Sequence, residues 1–348
     1  MREVLKEVYV KIYGAFVFYG SQGTGDPYHM SMNAFTSFLD DCAIPDNESQ
    51  NVKRSDCDTM FIICNYQPDK KSAEAAVNME NAMMRYEVIE AICRIGLGKY
   101  GKGIETLDVA GAIRMLLERN IVPRLSPACS IDSNQFRNER LYNEEVDIVL
   151  KRNVKVLQAI YSRYRLKPSS GGLRPKALKL DGFLQLMTDA CLIDGQFTLA
   201  EASLCFLWSR MLVIDEIKDY NRYSCVTFTD FLEAICRVAD YKFLPTHEEL
   251  AAAEYESVFN WALELERFQG NAEALDENGE SSIPEIFRYK GTGVKFEFDY
   301  ARPLWTKVEL LIDLMLRRLF WDPMQPEQQF TVNAVMKMVV KIDKDLGP

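Results

Sequence analysis

Tyr86-Glu87-Val88-Ile89-Glu90-Ala91-Ile92-Cys93-Arg94 and Thr229-Asp230-Phe231-Leu232-Glu233-Ala234-Ile235-Cys236-Arg237 decide the fold. Both contain Glu-Ala-Ile-Cys-Arg. Val88, Ile89, Ile92 and Ile95 in one, and Phe231, Leu232, Ile235 and Val238 in the other, recur at helical spacing. Cys93 and Cys236 lie 143 positions apart. That period is long for a solenoid unit and suits a duplicated module of several helices.

Working outward, each stretch closes a recurring outline of helix, loop, very short alternating segment and helix. A helix over 3–19 meets the breaker Gly20-Ser21-Gln22-Gly23-Thr24-Gly25-Asp26-Pro27, then Met30-Ser31-Met32, then a helix from Asn33 to Leu39. A helix over 55–66 precedes Met83-Met84-Arg85 and the helix from Tyr86. A helix over 141–164, interrupted by Ser169-Ser170-Gly171-Gly172, precedes Leu178-Lys179-Leu180 and a helix through Met187. A helix over 199–217 precedes Val226-Thr227-Phe228. The late helix 304–320 precedes Phe330-Thr331-Val332, whose following Asn333-Ala334 repeats the Asn33-Ala34 after Met30-Ser31-Met32. Leu107-Asp108-Val109-Ala110-Gly111-Ala112 parallels Glu248-Glu249-Leu250-Ala251-Ala252-Ala253 as a connector continuing into helix, and the acidic Gly270 to Glu285 reads as a flexible linker.

This outline is that of an EF-hand. A lone helix-loop-helix leaves apolar faces uncovered, so hands pair through antiparallel short strands, one with two and three with four. A fifth hand has no partner within the sequence. It docks on a neighbouring copy or another protein, or the sequence is part of a longer array.

A calcium loop needs oxygen ligands at positions 1, 3, 5, 7 and 9, a carboxylate at 12 and Gly at 6. With the strand at positions 8 to 10, loop four has Asp219 at 1, Asn221 at 3, Tyr223 at 5, Ser224 at 6 and Asp230 at 12. Asp219, Asn221 and Asp230 are thus half a metal site. Loop two has Glu87 at 12 but Ala76 at 1, and loops one, three and five have Ala34, Gly182 and Ala334 at 12. The expectation is a frame kept for packing and docking, with calcium confined at most to loop four.

Composition narrows the function further. The 348 residues allow two or three modules, and 48% hydrophobic with 26% charged residues is an ordinary globular balance. The net charge of -10 argues against nonspecific binding to nucleic acid or anionic membrane. Nine cysteines lack a CxxC pair, and Cys64, Cys93, Cys191, Cys205 and Cys236 read as buried free thiols of a reducing compartment. His29 and His247 are the only histidines, which disfavours zinc and His-dependent triads. No apolar run reaches a membrane span, and the first twenty residues form a charged amphipathic helix and not a signal peptide. Gly96-Leu97-Gly98-Lys99-Tyr100-Gly101 follows a helix and reads as its stop, not a dinucleotide loop. Glu144, Glu145 and Asp147 read as a solvated face. Arg317 and Arg318, beside Leu316, Leu319, Phe320 and Trp321, read as an amphipathic helix with snorkelling arginines. With no paired acid and base, nucleophile with His, or phosphate cradle, a non-enzymatic role is expected.

Phe136-Arg137-Asn138-Glu139-Arg140-Leu141-Tyr142-Asn143-Glu144-Glu145-Val146-Asp147 and Met84-Arg85-Tyr86-Glu87-Val88-Ile89-Glu90-Ala91 make the resemblance more specific. The chain resembles degenerate, tandem EF-hand-pair proteins of the ciliary axoneme, similar to those lining doublet microtubules. The resemblance implies an all-α fold of EF-hand-like pairs with very short paired strands: two full repeats and a partial third. The expected divisions are 1–103 (first pair), 104–140 (helical connector), 141–243 (second pair), 244–303 (connector with the acidic loop) and 304–348 (the unpaired unit). It also implies a structural protein of the cilium or flagellum, in the cytoskeleton of the cytoplasm. Its partners would be the tubulin lattice, other axonemal proteins and a neighbouring copy, with no nucleic acid, membrane or cofactor. The competing class is a calcium-sensing adaptor whose grooves, served by fourteen Met residues, grip target helices.

Overall fold

The computed structural model describes residues 1–22, 26–45, 52–101, 108–165, 177–269, 286, 296 and 298–320. Gly23 to Gly25, Ser169 to Gly172, the 270–285 linker, Trp321 and everything after it, including Phe330-Thr331-Val332 and Asn333-Ala334, lie outside the described residues. The protein is all-α, and its described strands are two residues long. It divides into two units: unit 1 holds Met1–Asp132 and Leu212–Ser224, unit 2 holds Ser133–Met211 and Cys225–Pro348.

Unit 1 begins with α1 (Arg2–Gln22), which buries Ile12, Ala15, Phe16, Val17 and Tyr19. β1 (Met30–Ser31) leads directly into α2 (Met32–Asp41), whose N-cap Ser31 accepts the Ala34 N–H. α3 (Arg54–Asn65) is followed by β2 (Ala82–Met83) and α4 (Arg85–Tyr100). β1 and β2 pair antiparallel, Met30 opposite Met83 and Ser31 opposite Ala82. Both methionines are fully buried, and the Phe35 and Phe61 rings meet beside them at 5.7 Å between centroids. α4 runs through the glycines that the sequence reads as its stop and ends only at Gly101. Gly96 instead permits close approach: a Cβ there would lie 3.2 Å from Ile113 Cα on α5 (Val109–Leu116). A tighter approach occurs at Gly14 of α1, where a Cβ would lie 1.8 Å from the Cys129 carbonyl oxygen.

The helix read over 199–217 is shorter. It ends at Ser209, and Arg210 is extended. The apolar spacing continues, but Asp215 Oδ1 accepts the Ile217 and Lys218 N–H groups and starts a separate turn. Leu212–Ser224 belongs to unit 1, where Glu216 forms a buried ion pair with Arg85 and the Tyr28 hydroxyl donates to the Ser224 carbonyl at 2.8 Å.

In unit 2, α6 (Glu144–Tyr164) starts at an Asn143 cap. β3 (Leu178–Lys179) enters α7 (Leu180–Asp189), and α8 (Leu199–Ser209) follows. β4 (Cys225–Val226) enters α9 (Phe228–Tyr241), and β3 pairs antiparallel with β4, Leu178 opposite Val226. α10 (His247–Ala252) does not continue as the sequence reads. It ends in a left-handed Glu254 at φ 58°, with Ala253 and Tyr255 N–H groups returned to Glu249 and Leu250. α11 (Val258–Gln269) and α12 (Leu304–Phe320) complete the unit, and α12 covers the 304–320 span read from sequence.

α9 packs on α6, α8 and α12. It carries charge into this core: Arg237 is fully buried and pairs with Glu233, which also holds Arg137 at 2.9 Å. One helical turn further, Asp240 accepts from Arg140 at 2.7 Å and lies 3.3 Å from Lys307 Nζ. Burial pulls the Lys307 pKa down against the attraction of Asp240. Removing one member of such a set strands the others away from water.

Two outcomes follow for stability in chemical denaturation. Gly14→Ala is expected to cost about 1–3 kcal/mol, because helix backbone must yield to the methyl group. Asp240→Ala is expected to cost about 3–5 kcal/mol, leaving Arg140 and Lys307 uncompensated.

Candidate functional site

Position 12 of each paired loop, read from sequence, falls at one structural place: the third residue of the helix that follows the short strand. These residues are Ala34, Glu87, Gly182 and Asp230. A side chain there turns back toward the loop and can reach backbone before the helix.

In loop four Asp230 does this. Its Oδ2 accepts the Thr227 N–H at 2.9 Å and the Thr227 hydroxyl at 2.8 Å. Asp219 stands before a single helical turn, Tyr220–Tyr223, and its carbonyl accepts the Arg222 and Tyr223 N–H groups at 2.9 Å. Asn221 is exposed within that turn. Tyr223, at position 5, is buried with its ring 5.7 Å from that of Tyr28. Asp219 and Asn221 belong to unit 1 and Asp230 to unit 2. Among the described residues, no group of three or more His, Cys, Asp or Glu is placed to hold a metal ion.

Loop two carries the most developed polar site. Glu87 is 1% exposed. Its Oε2 accepts the Met84 N–H at 2.8 Å, and its Oε1 accepts the Asn78 amide at 2.5 Å and the Gln67 amide at 3.2 Å. Burial raises the Glu87 pKa, and these donors oppose the rise. Asn65, at the end of α3, also donates to Oε2, at 3.3 Å. Sequence alignment puts Ala76 first in this loop by assuming twelve positions. Asn78, at position 3 of that register, does reach Glu87, and Asn65 joins it from outside the twelve positions, 22 residues away. An asparagine ending a helix before a polar stretch was the available signal; the length of the loop hid it.

In loop one the Ser31 hydroxyl accepts the Ala34 N–H at 3.3 Å. In loop three, a Cβ on Gly182 would lie 2.3 Å from the Tyr164 carbonyl oxygen and 2.9 Å from Leu178 Cδ1. The end of α6 thus occupies the space a longer side chain needs.

The histidines and cysteines take other roles. His29 is buried, with Nδ1 3.3 Å from Asp26 and Nε2 3.1 Å from the Val77 carbonyl oxygen. His247 is on the surface, 3.7 Å from Glu309. All nine cysteines are free; Cys64, Cys205 and Cys236 are buried as read, Cys93 is half-buried, and Cys191 is exposed. Cys191 departs because it follows α7 at a left-handed φ of 50°, outside the helix face assigned to it. Burial pushes the Cys64 thiol up to about 11 and Cys42 and Cys129 to about 12, which leaves them protonated and unreactive. Among the described residues, no helix is long and apolar enough to cross a membrane.

Gly182→Glu, which restores the position-12 carboxylate, is expected to destabilise by about 1–3 kcal/mol and to bind no calcium. Thermal melting with and without calcium reads both effects. Comparison with protein-family models, with curated proteins and with solved structures finds no match to this chain.

Proposed function

We propose that the chain is a non-enzymatic structural protein built of degenerate EF-hand pairs, and that its helical surfaces dock along the tubulin lattice of ciliary doublet microtubules and onto neighbouring axonemal proteins. One observation carries the reading. The carboxylates left at position 12, Glu87 and Asp230, are engaged by the chain's own N–H and hydroxyl donors. In loops two and four the entry to the following helix is thus closed by internal hydrogen bonds. The strand pairings, β1 with β2 and β3 with β4, support the paired reading of the hands. The axonemal assignment rests on the resemblance of the two segments around Glu87 and Asn143.

Docking surface is available on α3, whose Ile62 and Ile63, with Tyr66 just beyond, are exposed at 63%, 49% and 69%. The acidic balance suits a luminal position, since the acidic tubulin tails project outward. The second reading, a calcium-sensing adaptor, keeps Asp219, Asn221 and Asp230 as a vestigial ligand set.

A tagged copy is expected to localise to cilia and to stay with salt-washed axonemes; diffuse cytosolic distribution overturns the axonemal reading. Calorimetry with calcium is expected to give no heat at micromolar ligand. Heat that Asp219→Ala abolishes favours the adaptor.

A further inference from the structure

Asn65 Nδ2 sits within four oxygens. It lies 3.1 Å from the Ala82 carbonyl, 3.2 Å from the Met79 carbonyl, 3.3 Å from Glu87 Oε2 and 3.4 Å from Asn78 Oδ1. An amide nitrogen has two hydrogens, so four acceptors exceed what it can serve. The distances fall at the long end for N–H···O bonds, as they must when two donors are spread over four acceptors.

The amide has one orientation here. Asn65 Oδ1 accepts the Asn81 N–H at 2.9 Å, and Asn81 takes a left-handed φ of 69°. Turning the amide over would oppose its oxygen to the four acceptors and its nitrogen to that N–H. The surrounding oxygens are also held from outside: Asn78 and Gln67 donate to Glu87 Oε1, and Met84 N–H donates to Oε2.

Two backbone carbonyls, an amide oxygen and a carboxylate are the donor types of a hard divalent cation such as calcium. The cage does not fit that ion as it stands. Calcium takes oxygens at about 2.3–2.6 Å and six to eight of them, and here a nitrogen fills the centre. We propose that loop two is a divalent-cation site whose ion has been replaced by the Asn65 amide nitrogen. The partial positive charge of its two N–H groups draws the four oxygens together as an ion would. Loop two thereby keeps one shape whatever the calcium concentration. This inference rests on the geometry of unit 1 and stands apart from where the protein resides in the cell.

Asn65→Asp tests it. The substitution replaces the N–H donors by oxygen and sets a second carboxylate beside Glu87. In EDTA, N65D is expected to melt below the wild-type protein. Calcium is expected to raise its melting temperature and to give a one-site heat that is absent from the wild-type protein and from N65D/E87Q. If N65D is unfolded in EDTA, refolding by calcium followed by circular dichroism is the readout. Asn65→Ala, which removes the amide without adding charge, is expected to fold with a lowered melting temperature and no one-site heat. N65D that ignores calcium, folded or unfolded, overturns the proposal. So does wild-type calcium heat that Glu87→Gln removes, whereas heat removed by Asp219→Ala reports on loop four alone.

Discussion

A two-residue ladder followed at once by a helix leaves little freedom at the junction, and the helix-entry loops depend on that constraint. The strand fixes the direction of the chain, and the next helix begins within one or two residues, at Met32, Arg85, Leu180 and Phe228. Its third residue is then forced back against the loop. Whatever occupies that position must satisfy, or avoid, the loop backbone. Ala34 leaves the task to Ser31, Glu87 gathers amides, Gly182 yields its space to α6, and Asp230 clasps Thr227. Four loops of one outline thus reach closure by four different local chemistries.

The core of unit 2 is held by another kind of constraint. α9 is covered by three helices, yet it brings Glu233, Arg237 and Asp240 inside. The two carboxylates meet opposite charges from different parts of the chain, Arg137 and Arg140 from before α6 and Lys307 from α12, while Arg237 pairs with Glu233 on α9 itself. Apolar contact tolerates small rotations of a helix, whereas a guanidinium facing a carboxylate does not. Such pairs add little net stability over an apolar core, but once present each member holds the others to their places, since losing one strands its partners away from water.

Much of this was legible in sequence because it depends on short-range pattern. The spacing of Phe231, Leu232, Ile235 and Val238 located α9, and the alternating segments located the four strands. Readings that failed depended on something periodicity does not carry. The apolar spacing of the 199–217 reading continues past Ser209, but the backbone turns extended at Arg210, and Asp215 then caps a separate turn through the Ile217 and Lys218 N–H groups. Gly96 and Gly98 read as a stop, yet the helix runs through both, and at Gly96 α5 packs closely and rewards the absence of a side chain. In loop two the register with Ala76 at position 1 brings Asn78 of position 3 to Glu87, but Asn65, outside the twelve positions, also reaches it. The half site at Asp219, Asn221 and Asp230 was legible as residue types; that Asp230 serves Thr227 and that Tyr223 turns to Tyr28 are tertiary facts.

The carbonyl of Tyr164 lying over Gly182 makes that position closed to ordinary substitution. Glycine leaves room for the carbonyl, and any Cβ meets it before the rest of a side chain can act. A carboxylate can be set there only if the end of α6 retreats in the same step. Loop two has no such barrier, because Asn65 and Glu87 already carry polar side chains and exchanging one for another asks no helix to move. The two loops therefore differ in which new chemistry a single replacement can bring them.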